Sequence, residues 1–420
     1  MRLDWLQHLT EQVGPFASVS MDATRTDASG DQEVALRARA HATRLREAGA
    51  PAVVVEAVMD AVTSPTLRHG EVGRLVVANG SGVVLDLLLP ERPVREQTLW
   101  GPVPQLLPAV RALSGSTSYL LAEVDSSGAD LQVVGALGDH VDASTVEGEH
   151  DVLHKVPGGG WAHRRYQMRV EDSIERNADT VAEAIGSEVS RRGVDLVLLA
   201  GQDKPVASVL ERLPGQAADR AVRLHSGGRA AGTDDQARDR EVSEVLRRHD
   251  DDRRTEVLER FAGAQARQRE AVQGLDSVVE VLQKGQVDTL LLRDDPSSDL
   301  RVWSTGRPEQ LALRREDLEA MGADGAEQVR ADAALVWALV GTGAAITLVG
   351  EERGWEEDLH PNASPDPDAE AAGDAPAQRF EGPVGGVGAL LRWVDDSTPH
   401  DSAPSMPGHG TGIRHQGPDT

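Results

Sequence analysis

Short apolar runs alternate along this chain with longer stretches of helical periodicity, the pattern of mixed α/β units rather than of a helical bundle or an all-β sandwich. An apolar run at residues 15–21 predicts a first strand, and a polar-apolar helical pattern covers residues 31–62. Residues 74–78 and 83–89 are strand-like around Asn79-Gly80-Ser81-Gly82, strong hairpin chemistry. A second pair, 119–124 and 131–137, flanks Ser126-Ser127-Gly128. A helix follows from about residue 166 to 192, because Val170, Ile174, Ala178 and Val181 recur three or four apart. Residues 195–200 and 221–224 are short strands, with a helix at 207–213 between them. Further on, 275–282 and 331–340 are helical and 287–292 and 345–349 strand-like.

These elements divide the chain into a small α/β N-terminal domain over 1–114 and an α/β middle domain over 115–235. A charged connecting helix over 236–272 leads to an α/β C-terminal domain over 273–394. A chain of 420 residues is long enough for such a division, since single cores stop growing well before that length. Two segments read as disordered: an insertion at 356–378 rich in Asp, Pro and Ala, and a tail at 395–420 rich in Pro, Gly and Ser. No internal repeat is visible.

Composition narrows the chemistry. Aromatic residues make up 3% of the chain, so cores must be filled by Val, Leu and Ala, and each Trp or Tyr carries more information. The absence of cysteine removes disulfides, thiolate zinc sites and a cysteine nucleophile. The N-terminal stretch, with Asp4 and Glu11, lacks the apolar core of a signal peptide, and no apolar run is long enough for a membrane span. A cytoplasmic protein without membrane contact, monomeric on its own, is the expectation. The net charge of -26 argues against broad nucleic-acid affinity, yet its distribution is uneven. Residues 351–381 carry ten acids against Arg353 and Arg379, whereas 155–169 hold Lys155, Arg164, Arg165 and Arg169 with no acid at all.

The common hydrolase signatures are missing: no P-loop, no HExxH and no GxSxG. Gly341-Thr-Gly343 and Gly386-Val-Gly388 are fragments of dinucleotide patterns in the wrong setting, and read as structural. His150 and His154 are four apart but lack a third ligand, so no metal site and no cofactor are expected. The remaining candidate is Lys155-Val-Pro-Gly158-Gly159-Gly160-Trp161-Ala-His163-Arg164-Arg165-Tyr166-Gln-Met-Arg169. One reading is a surface loop before a solvated helix. The other is an arm for RNA: glycines allow close backbone approach, Trp161 and Tyr166 can stack on bases, and arginines can fork onto phosphates.

The segment from Gly159 to Arg169 resembles the Gly-Gly-Gln loop and following helix start in the middle domain of archaeo-eukaryotic class I release factors and Pelota-type relatives. The glycine pair, Arg165 and Tyr166 fall in register. Gly274 to Leu292 resembles the opening helix and strand of that family's L30e-like C-terminal domain, and Gly385-Gly-Val-Gly-Ala-Leu-Leu-Arg-Trp393 its closing strand. The resemblance runs from about 115 to 394 and is nearest to the bacterial branch, which includes the Balon-like hibernation factors of actinobacteria.

The resemblance implies a middle domain of release-factor type and a ribosome partner, with a translational GTPase such as elongation factor Tu as candidate second partner. It also implies an rRNA-binding loop made of Lys155, Gly158, Gly159, Gly160, Trp161, His163, Arg164, Arg165, Tyr166 and Arg169. The departure is at position 161. The family's glutamine helps to position water for ester hydrolysis, whereas an indole offers one N–H donor and no acceptor. A non-catalytic occupant of the ribosomal A site, acting in hibernation or stress, is therefore the main expectation. The alternative is a peptidyl-tRNA hydrolase used in ribosome rescue, for which Gln167 is the only nearby glutamine.

Overall fold

A computed structural model describes residues 1–25, 30–66, 70–136, 140–147, 161–229, 234–267, 269–295, 298–350 and 382–399; for 161–174 the description is of backbone only. The chain is α/β throughout these residues, with four separate sheets.

The N-terminal unit begins with a 3-10 helix, Asp4–Glu11, and strand β1, Phe16–Asp22. Helices α1, Gly30–Glu47, and α2, Ala52–Thr63, follow, then β2, Gly73–Asn79, β3, Gly82–Leu89, β4, Gln97–Gly101, and α3, Leu107–Ser114. The strands form an antiparallel sheet in the order β3-β2-β1-β4. The continuous helical pattern expected over 31–62 is two helices, because Gly49 at φ +89° and Pro51 break the hydrogen-bond ladder between them. Alternation along β1 sends Ala17, Val19 and Met21 toward α1 and α2, and Phe16 to the opposite face.

The middle unit comprises β5, Tyr119–Val124, β6, Gly128–Val134, β7, His140–Glu147, α4, Trp161–Arg192, β8, Leu196–Gly201, α5, Asp203–Leu210, α6, Gly215–Asp219, and β9, Ala221–Arg223. Its sheet runs β7-β6-β5-β8-β9, with β5, β8 and β9 parallel. Helices α4, α5 and α6 cover one face through Val181, Ile185, Val206 and Ala217, among others. The other face meets α7, Asp235–Ala266, through Val242 and Leu246.

Helix α7 is polar on all sides over residues 247–256, the stretch that bridges two units, and there it is laced by ion pairs such as Arg247–Asp251 and Arg254–Asp250. Its C-terminal part re-enters a core through Phe261 and Ala264. Its end lies earlier than the periodicity to 272 suggested, because the chain turns at 267–270 and pairs as β10, Ala271–Gln273.

The C-terminal unit continues with α8, Leu275–Gln283, β11, Val287–Arg293, β12, Arg301–Ser304, β13, Leu311–Ala312, α9, Arg315–Ala320, β14, Glu327–Arg330, α10, Ala331–Thr342, β15, Ala345–Val349, and β16, Val387–Leu391. The main sheet is β10-β16-β11-β15, and a small one, β13-β12-β14, stands beside it. Gly343, at φ +64°, caps α10 in the left-handed conformation, and a Cβ on Gly388 would lie 2.7 Å from the Phe261 ring. Both dinucleotide-like fragments are therefore local geometry.

One core joins the first and last units. Leu6, Leu9, Phe16, Leu75, Val110, Val278, Leu290, Trp337 and Ile346 belong to a single buried cluster. Helix α10 is buried on every side in it, as its continuous apolar sequence requires. Arg111 of α3 reaches Asp294 beyond β11, with Nε 2.7 Å from both carboxylate oxygens. Arg2 bridges to the backbone of Ala345.

The expected insertion at 356–378 lies outside the described residues, as does the tail from 400 onward. Residues 395–399 do not follow the expected disorder. Thr398 is buried and accepts a 2.9 Å hydrogen bond from the Gln286 side chain, while Asp395 caps Ser397. No described helix is long and apolar enough to cross a membrane.

Candidate functional site

The candidate segment emerges from the edge of the middle sheet at which β5, β7 and β8 all end. Strand β7 leads out, with Glu147 opposite Gly128, and α4 leads back. In open α/β sheets this carboxyl edge is where loops gather and ligands bind. Lys155, Gly158, Gly159 and Gly160 lie outside the described residues, as do His150 and His154.

Trp161, His163, Arg164, Arg165, Tyr166 and Arg169 all lie on α4. The helix starts at Trp161 rather than near Tyr166, directly after the glycine run, because glycine is a poor helix former and the residues after it are not. Position 161 is thus a helix N-terminus, whose first turn contains no acid. A helix N-terminus presents N–H groups without intrahelical partners and the positive end of the dipole, and the sequence adds three arginines, so the chemistry of this tip suits anionic oxygens such as phosphate.

Helix α4 is a lever with a well-packed base. Ala178, Val181, Ala182, Ile185 and Val189 are buried on the sheet, and Gly186 lies so close to Pro214 that a Cβ there would sit 2.4 Å from the proline ring. From Asn177 to Trp161 the helix runs roughly 24 Å at 1.5 Å per residue. Gly128 fixes the other root of the arm: a Cβ at that position would meet the Val146 carbonyl at 2.0 Å, so the β6–β7 approach needs glycine.

Around this base the charges are already engaged. Arg229 contacts Asp125 at 3.1 Å and Asp130 at 2.9 Å, and Arg238 contacts Glu123 at 2.9 Å. Burial pushes the Asp125 carboxyl up, but donation by the Ser127 hydroxyl and N–H, by Arg229 and by the Gly128 N–H outweighs it and holds the group below its usual range. A groove of about 290 Å³ on this sheet is lined by Leu121, Glu123, Asp130, Gln132, Ser144 and Thr145. Its two carboxylates are the ones paired to arginine, an arrangement that stabilises charge and does not leave an acid–base pair in place. Among the described residues no group of three or more His, Asp or Glu could hold a metal ion.

Sequence reasoning placed Gly128 in a turn without its close approach to Val146, and did not single out Asn177 or the Arg229 and Arg238 clasps. Asn177 did leave a signal, an amide on the apolar stripe of Ile174, Ala178 and Val181. The clasps left none, because their partners are about one hundred residues away.

Residues 118–267 match the family model described as bacterial archaeo-eukaryotic release factor family 2. The Mycobacterium tuberculosis protein Rv2629, from strain H37Rv, is 28% identical over 353 residues, which is 82% of this chain and 92% of that protein. Among solved structures, Saccharomyces cerevisiae Dom34, a translation termination-like factor that interacts with Hbs1, aligns over 78% of this chain and 81% of its own at 10% identity and a TM-score of 0.38. Archaeoglobus fulgidus Pelota aligns over 93% and 92% at 13% identity and a TM-score of 0.30. The matched stretch, the middle unit and the helix after it, is thus similar to the bacterial archaeo-eukaryotic release factor family.

Proposed function

We propose that the protein binds the ribosome as a release-factor homologue, occupies the A site, and directs residues 155–169 toward the peptidyl-transferase centre without cleaving peptidyl-tRNA. It acts in the cytoplasm as a hibernation or stress factor. The supporting observation is the one at the arm: three consecutive glycines end at the N-terminus of a 32-residue helix whose first turns carry Trp161, Arg164, Arg165 and Arg169. Such a tip offers donors and positive charge to rRNA phosphates and an aromatic face to bases. It offers no side-chain acceptor at position 161 to orient a water. Gln167 does not replace one, since it lies six residues along the helix, roughly 9 Å from Trp161. The acidic remainder of the chain disfavours non-specific RNA contact, so docking rests on this patch. The C-terminal unit is the proposed contact for a translational GTPase such as elongation factor Tu.

Co-sedimentation with ribosomes at physiological salt tests this reading. The double variant Arg164→Glu, Arg165→Glu is expected to lose pelleting, and pelleting equal to the parent protein contradicts an arm that binds rRNA. Steady turnover of peptidyl-tRNA by the purified protein would instead favour the hydrolase.

A further inference from the structure

We infer that Asn177 is a positioning residue that aims the arm, an inference that rests on the ribosome-binding reading given above. Among the described side chains of α4, Asn177 is the buried one nearest the tip: it is 3% exposed, whereas Glu175 and Arg176 are exposed. Its Nδ2 donates to the Ser126 carbonyl at 3.0 Å. Ser126 belongs to the β5–β6 turn, and that turn is itself stiffened, because Asp125 accepts the Ser127 N–H at 2.7 Å and the Gly128 N–H at 3.0 Å. Arg229 then ties Asp125 to the segment leading into α7. The amide thus links the helix to a hydrogen-bonded turn at the sheet edge.

Among the described residues, the rest of the α4 interface does not supply this aim. Ala178, Val181, Ala182, Ile185 and Val189 hold the helix down by burial, which is non-directional and tolerates a small tilt. Gly186 against Pro214 fixes the helix farther from the tip. On the flank, Arg212 pairs with Asp179 at 2.9 Å and with Glu175 at 3.7 Å, but both acids are more than half exposed and such pairs are weak. A directional bond at Asn177 therefore decides the exit angle. A tilt of about 10° about this point moves Trp161 by roughly 4 Å over the 24 Å lever, well beyond the tolerance of a recognition site. Buried amides fix geometry in this way at a cost in packing that an apolar residue would not incur.

The absence of cysteine makes the test direct, since two introduced cysteines are the only labelling sites. Spin labels at Gln167→Cys and Asp219→Cys report the tip against the body, and labels at Ser190→Cys and Asp219→Cys report the base of α4. Asn177→Asp keeps the shape but removes the donor, and Asn177→Leu serves if a buried carboxylate prevents folding. Gln167 lies roughly 15 Å along the helix from Asn177, so the expected result is a tip distance distribution shifted or broadened by about 2.5 Å or more, with the base distribution unchanged. Ribosome association should weaken at least tenfold in the same variant. An unchanged tip distribution in both folded variants overturns the inference, as does a tip that moves while ribosome association stays at the parent level. Failure of the function itself appears separately, as full pelleting of the Arg164→Glu, Arg165→Glu protein whose Asn177 is intact.

Discussion

Replacing Trp337 with alanine should unfold the N-terminal and C-terminal units together, although the substitution lies in only one of them. Trp337 is 2% exposed, packs edge-on against Phe16 with ring centroids 6.0 Å apart, and donates its indole N–H to the Gly306 carbonyl at 2.8 Å. Deleting a buried tryptophan side chain costs about 3–5 kcal/mol through lost burial and the remaining cavity. The aromatic contact with Phe16 accounts for about 0.5–1.5 kcal/mol of interaction beyond area. Since about 1.4 kcal/mol is a factor of ten, a loss near 4 kcal/mol raises the open population roughly a thousandfold. Hydrogen exchange reads this by element. Amides of β1 and β2 should lose protection by the same factor as those of β11 and β15, while those of β5 and β8 keep theirs. If β1 and β2 retain parent protection while β11 and β15 do not, the shared core is not a cooperative unit and the reasoning fails.

The remaining expectations concern single groups. His41 is lowered from its ordinary value chiefly by burial, with Glu96 opposing at 3.2 Å, so the unfolded chain takes up a proton first as pH falls. Stability of the N-terminal unit should therefore be full above about pH 6.5 and decline below it, and His41→Gln should remove that slope from urea midpoints measured between pH 5 and 8. Gly128→Ala places a Cβ against the Val146 carbonyl and should destabilise the middle unit by about 1–3 kcal/mol in denaturant titration, with native stability counting against the close approach. Trp161→Ala should leave folding intact and weaken ribosome association, and unchanged affinity would remove the stacking role.

Much of the fold could be read from local pattern. Asn79-Gly80-Ser81-Gly82 carries its own turn chemistry, and the all-apolar run of α10 announces a buried helix. The small sheet was not legible, because β12 and β14 have four residues each and β13 has two, too few for an alternation to register. Strand β4 is half-buried along its length and lies between prolines at 93 and 102, so it reads as loop. The joint core was invisible for a different reason. Phe16 and Trp337 meet across more than three hundred residues, and no local signal reports such a pairing. The tip chemistry was legible in residue types, while its mounting was not: the Asn177 anchor depends on tertiary packing.

The central claim is that the tip of α4 reaches rRNA as an inert finger. A cryo-EM map of the protein on idle ribosomes measures this directly. The account predicts density for Trp161 and Arg165 against rRNA at the peptidyl-transferase centre, with α4 continuous to the middle sheet. A map in which that tip points into solvent, or lies against the protein's own body, contradicts it.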